Sequence, residues 1–113
     1  SGRAGYDEMV ARQDVKQALR YAQQLAMSRT NDTVVFSTTA STLSVTVDGN
    51  LVAKPDGGNY PLNIASDVTL DVVNIAFNRL GAATGGNTSI NIASSAQTLR
   101  ICVAGTTGYA YDC

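Results

Sequence analysis

The sequence predicts an α+β fold: one long N-terminal amphipathic helix packed on an antiparallel β-sheet, followed by a disulfide-closed C-terminus. Three observations carry this. Residues 6–29 (YDEMVARQDVKQALRYAQQLAMSR) contain neither Gly nor Pro, the two strongest helix breakers. From Thr33 onward the chain consists of short runs rich in Val, Ile, Thr and aromatic residues, set apart by Gly, Asn and Asp, which is the punctuation of strands and tight turns. Both cysteines, Cys102 and Cys113, fall at the C-terminal end. A chain of 113 residues is expected to form a single domain over 1–113, with the helix at about 5–29 and the β region at about 33–113.

In the helix, Val15, Ala18, Leu19, Ala22, Leu25 and Ala26 recur at spacings of three and four, and Ala11 extends the stripe by a turn. That periodicity marks one buried face. Val15, Leu19, Ala22, Leu25 and Ala26 are the expected helix–sheet core. Arg12, Lys16, Arg20, Gln23 and Gln24 fall off the stripe toward solvent. Glu8 precedes Arg12 by four residues, the favoured order for a helical ion pair. A helix of this length spans about 37 Å, so one end is expected to project past the body of the domain.

Asn31-Asp32 ends the helix. Thr33–Ser37 reads as a strand, and Thr42–Val47 alternates polar and apolar residues, so one of its faces is buried. Asp48-Gly49-Asn50 is a tight-turn signal with Leu51–Lys54 as the return strand. Tyr60–Ile64 reads as an edge strand because Pro61 cannot donate to a ladder. Val68–Val72 and Ile75–Phe77 follow as strands. Ser89–Ile92 pairs with Leu99–Val103 across Ala93–Thr98, and Tyr109–Tyr111 closes the sheet after a turn at Gly105–Gly108.

Composition excludes several function classes. The net charge is −1, so no global field attracts nucleic acid, and none is expected as a partner. There is no histidine, which removes the commonest general base and zinc ligand. No carboxylate pair falls at dyad spacing, and the Gly81–Gly86 loop lacks the Lys and the following helix of a phosphate cradle. The chain is therefore read as a non-enzyme without cofactor or metal. Asp48, Asn50, Asp56 and Asn59 place oxygens in two loops but lack calcium-loop spacing, so they are assigned to turns. Tyr60, Tyr109 and Tyr111 are the candidates for a sugar-stacking surface, against the alternative of half-buried strand tyrosines.

Two cysteines in a small chain rich in Thr, Ser and Asn suggest an oxidising compartment. A Cys102–Cys113 bond closes a loop of about a dozen residues, worth about 2.5–3 kcal/mol in the chain-entropy model. Two buried free thiols are the alternative.

The order of elements resembles type IV pilins and type II secretion pseudopilins. Leu19-Arg20-Tyr21-Ala22-Gln23-Gln24-Leu25-Ala26-Met27-Ser28-Arg29 is similar to the helix segment of the GspH/FimT-like branch. Phe77-Asn78-Arg79-Leu80-Gly81, Ile90-Asn91-Ile92, Leu99-Arg100-Ile101 and Thr107-Gly108-Tyr109 are similar to its C-terminal pattern: a Phe-x-x-x-Gly turn, a hairpin, and a closing Thr-Gly-aromatic strand. The resemblance implies a non-catalytic pilin subunit of a Gram-negative bacterium, working at the periplasmic face of the inner membrane and then in an extracellular fibre. It implies other pilin subunits as partners, and a preceding leader and apolar helix half of about 20–25 residues that enters the membrane. Nothing in this chain matches that half, so the abrupt start at Ser1-Gly2-Arg3 is expected to follow it. The cysteine pair resembles the disulfide-bounded C-terminal region of type IV pilins. Arg12, Lys16 and Arg20 are candidate assembly contacts, expected to be mostly exposed and available to a neighbour, against the alternative of an ordinary solvated helix face. A glycan or surface ligand is the alternative partner.

Overall fold

A computed structural model describes residues 3–29 and 31–113. Helix α1 covers Arg3–Met27. Among the described residues nine short strands follow: β1 (Val34–Thr38), β2 (Thr42–Val47), β3 (Asn50–Leu51), β4 (Leu62–Asn63), β5 (Thr69–Leu70), β6 (Asn74–Phe77), β7 (Thr88–Ala93), β8 (Thr98–Val103) and β9 (Ala110–Asp112). All pairings are antiparallel.

The strands form two sheets. The first runs β3-β2-β1-β6, with β4 also on β2; the second runs β5-β7-β8-β9. The chain does not pass directly from β6 to β7 as a neighbour. Residues 82–84 intervene: Thr84 N donates to Ala76 O (3.0 Å) and Ala83 N donates to Gly105 O (2.9 Å). The free edge of β6 is thereby occupied, and the same segment stitches the first sheet to the turn after β8.

Local chemistry sets the turns. At Asp48-Gly49 both residues have positive φ, 53° and 83°, the backbone of a two-residue hairpin turn that matches strand twist. The return strand is shorter than its sequence suggests, ending at Leu51, because Lys54 N donates to Gly58 O (2.8 Å) and the chain closes on itself there. The β7–β8 hairpin has Ser89 opposite Cys102 and Ile90 opposite Ile101. Strict alternation then sends Ile90, Ile92, Ile101 and Val103 to one buried face.

Helix α1 lies across the inner faces of both sheets. Val15, Leu19 and Ala22 are fully buried, Ala11, Ala18 and Ala26 nearly so, and Leu25 packs half-buried at the margin. They meet Val34 and Phe36 of β1, Val45 of β2 and the isoleucines of β7 and β8 in one apolar cluster. Burial of a side chain such as Leu19 contributes about 1.5–3 kcal/mol.

Glu8 departs from its expected place. It is fully buried, and its Oε1 accepts a hydrogen bond from Ser94 Oγ in the β7–β8 loop. Oε2 has no partner. The reason is positional. Glu8 precedes Val15 by seven residues and Ala11 by three, so it continues the buried stripe rather than the solvent face. Among the described residues no Glu8–Arg12 ion pair forms; Arg12 turns instead to Asp112. The helix is therefore covered at least as far back as Glu8, while Tyr6, Met9 and Val10 on its opposite side are exposed.

Candidate assembly surface

Positions 12, 16 and 20 lie one helical turn apart on the flank of α1 that runs beside β9. Strand β9 is brought there by pairing with β8, in which Cys102 lies opposite Tyr111 and Ile101 opposite Asp112. Cys102 and Cys113 are disulfide-bonded with Cα atoms 5.8 Å apart, within the ordinary range for such bonds. The bond fixes the chain end to β8 and so sets Asp112 against the helix.

The basic stripe is engaged within the molecule. Lys16 Nζ donates to Asp112 Oδ1 at 2.9 Å, and Arg12 lies 3.7 Å from Asp112 Oδ2. Arg20 donates to Ala110 O (3.4 Å), and its guanidinium carbon lies 5.7 Å from the centre of the Tyr109 ring. Arg12 and Lys16 are partly buried, with side chains 24% and 14% exposed; Arg20 alone of the three is exposed. The expectation of a mostly exposed stripe is corrected for Arg12 and Lys16. No local signal brings Asp112, nearly a hundred positions away, to their side. The Lys16 hydrogen bond, aided by Arg12, holds the Asp112 carboxyl below its ordinary value.

One turn further on, Gln23 bridges two loops. Its Nε2 donates to Gly81 O (3.0 Å) and Thr107 O (2.8 Å). The two motif glycines meet here. Gly108 has φ 71°, and a Cβ on it would fall 1.8 Å from Gly81 O. Close backbone approach requires glycine at this position. Helical period alone turns Gln23 toward solvent; its separation by 58 and 84 positions from its acceptors leaves no local signal of the bridge.

The three tyrosines do not assemble. Tyr60 is buried beside Tyr21, ring centres 6.4 Å apart, and burial, with Tyr21 and the nearby carboxylates Asp56 and Asp14, pushes its phenol up to about 12. Tyr109 and Tyr111 stack on each other instead, 6.1 Å apart. Two of the loop oxygens are engaged within the fold: Asp56 Oδ1 accepts from Gly58 N in its own turn (3.3 Å), and Asp48 Oδ1 accepts from Thr33 N just before β1 (2.8 Å). Among the described residues no helix is long and apolar enough to cross a membrane.

Comparison with known proteins places these features in a family. Residues 11–107 match the family described as Type II transport protein GspH. No match was found among curated proteins. Two solved structures are similar in fold, both of the Pseudomonas aeruginosa type IV minor pilin FimU. One crystal form gives a TM-score of 0.70 at 14% identity, covering 92% of this chain and 86% of FimU. The second gives 0.65 at 14% identity, covering 92% and 90%.

Proposed function

Because the chain belongs to the GspH family, whose members are structural rather than catalytic, we propose that it is a minor pilin that primes assembly of, or sits at the tip of, a type IV pilus used in adhesion. Its motif order resembles that of the MSHA minor pilin MshC, and an MSHA-like pilus is the setting proposed. The observation that carries the reading is the Cys102–Cys113 bond on a helix-over-sheet fold shared with a pilus subunit. That bond closes the C-terminal region in the manner of type IV pilins, whereas pseudopilins of the secretion branch often lack it.

The reading supplies partners and a path. Other major and minor pilin subunits are the neighbours, and an apolar helix half preceding this chain holds the subunit in the inner membrane before assembly. The flank of α1 at Arg20 is the proposed contact face, leaving the outward face of β9 uncovered. Arg20 is its exposed cation, whereas Arg12 and Lys16 contribute by holding Asp112 and the chain end in place.

A pseudopilin of a type II secretion system is the second reading, favoured by the family description itself. A deletion strain separates the two. Loss of pili supports the minor pilin. Normal pili with failed protein export moves the chain to the secretion branch. Arg20→Glu in the full-length protein is expected to lower piliation without unfolding the subunit; unchanged piliation removes the flank from the assembly surface.

A further inference from the structure

The outward face of the second sheet carries a groove of about 320 Å³. Asn87, Thr88 and Ser89 line one side, Tyr111 the other, with Cys102 of the disulfide between them. We propose that this groove binds a neutral saccharide, with the Tyr111 ring as its stacking platform.

Exposure and geometry argue for a ligand. Alternation along β9 buries Ala110 and turns Tyr109 and Tyr111 outward, where they are 54% and 41% exposed. Their rings lie nearly parallel, 12° apart in plane. Tyr109 is outside the groove lining and braces Tyr111 by stacking on it. Tyr109 is in turn met by the Arg20 guanidinium, and Tyr111 sits opposite the disulfide residue Cys102. The platform is thus held from two sides before any ligand arrives, which reduces the ordering cost of binding.

The lining chemistry selects the ligand class. It contains no charged side chain, so an ionic ligand would be desolvated without a counter-charge. The Thr88 hydroxyl donates to Gly86 O (3.4 Å), but a purely apolar ligand would leave the Asn87 NH2 group and the Ser89 hydroxyl without partners. Asn87 Oδ1 accepts from Gly105 N at 2.7 Å, which fixes the carboxamide and leaves its NH2 group as a donor. An aromatic wall facing small neutral hydrogen-bonding groups suits a molecule with one C–H face and a rim of hydroxyls. The volume lies at the small end of ligand sites, enough for one or two sugar rings.

The proposal rests on the pilin reading in one respect: this face must remain uncovered in the fibre. Binding itself is tested on the chain alone. The ¹⁵N-labelled protein is titrated with the methyl glycosides of glucose, galactose, mannose and N-acetylglucosamine, with sialic acid as the charged control. At least one neutral glycoside is expected to shift the amides of 87–89, 102–104 and 111 with millimolar affinity, sialic acid shifting none of them. Tyr111→Phe should keep that affinity and Tyr111→Ala should lower it roughly tenfold or more. Ser89→Trp, which fills the groove while leaving Tyr111 in place, should abolish binding with the disulfide and circular dichroism unchanged. The proposal is overturned if no neutral glycoside moves these amides at tens of millimolar, if sialic acid alone does, or if Tyr111→Ala binds like the parent. It is equally overturned if a purified partner pilin shifts these amides and no sugar does, which would make the face a subunit contact. Pilus counts in the deletion strain are scored separately: lost pili without sugar binding defeats the groove alone, and sugar binding with normal pili and failed export defeats the pilus reading alone.

Discussion

Lys16 Nζ lies 2.9 Å from Asp112 Oδ1, tying the middle of α1 to the residue just before Cys113. The Asp112 carboxyl is held below its ordinary value of 3.8, chiefly by this hydrogen bond. A depressed folded-state pKa means that the unfolded chain takes up the proton first as pH falls. The contribution is therefore complete above the unfolded value and disappears as pH drops through the lower folded one. Asp112→Asn should cost at most about 1 kcal/mol at neutral pH, the usual scale of exposed pairs. Urea melts of parent and variant should differ at pH 7 and converge as pH falls below the depressed folded-state value. A gap that persists in acid would mean that Asp112 acts through something other than its charge.

Gln23 and Gly108 form a second long-range tie, and their variants should separate by mechanism. Gln23→Ala removes the donor shared by Gly81 O and Thr107 O and should cost about 1–3 kcal/mol. Gln23→Glu should cost more, since it faces two carbonyls with a carboxylate. Gly108→Ala drives a Cβ to 1.8 Å from Gly81 O and should prevent native folding. Gly49→Ala, at positive φ but with nothing within 4 Å, should cost only about 1–2 kcal/mol. Comparable melting temperatures for Gly108→Ala and Gly49→Ala would contradict the close approach.

These ties mark the boundary of what was legible in the chain. The spacing of Val15, Leu19, Ala22 and Ala26 displays a buried stripe because helical period is a local property, and the Asp48-Gly49 turn is visible for the same reason. The division into two sheets was not visible, because it depends on residues 82–84 occupying the edge of β6. The Lys16–Asp112 pair and the Gln23 bridge depend on tertiary return of distant segments. Glu8 was legible in principle: its spacing to Ala11 and Val15 fits the stripe, but its charge and its position before Arg12 favoured the surface assignment. Tyr60 parted from Tyr109 and Tyr111 because strand order, not composition, sets which tyrosines share a face.

Leu19 should be the most sensitive position on the helix. It has no solvent exposure and sits in the cluster shared by both sheets. Leu19→Ala should cost about 2–5 kcal/mol, and Leu19→Asp should abolish the cooperative transition by placing a charge there. Thermal melts followed by circular dichroism decide it; a Leu19→Asp variant melting near the parent would refute the core assignment.

Reduction of Cys102–Cys113 should lower stability by about 2.5–3 kcal/mol. The loss should be local, because the bond joins β8 to the chain end while α1 is held by the apolar cluster. Hydrogen exchange in reductant should accelerate at Gly105–Asp112 well before it does at Val15–Ala26. Equal acceleration in both segments would show that the bond supports the whole fold.

Glu8 and Ser94 make the sharpest paired test. The Glu8 carboxyl is wholly buried, with one oxygen on Ser94 Oγ and the other without a partner. Burying such a group costs several kcal/mol unless its hydrogen bonds are complete. Glu8→Met replaces it with an apolar side chain of similar volume, and Ser94 retains its acceptor role toward Ala96 N (3.0 Å). This variant should be as stable as the parent or more so, by up to about 4 kcal/mol. Ser94→Ala leaves both carboxylate oxygens buried without a partner and should destabilise by about 1–3 kcal/mol. In the double variant the cost of Ser94→Ala should shrink, because the group it served is gone. Urea melts of the four proteins at neutral pH measure the cycle. If Glu8→Met is the more damaging single change, the carboxylate contributes more through its contacts than its burial costs.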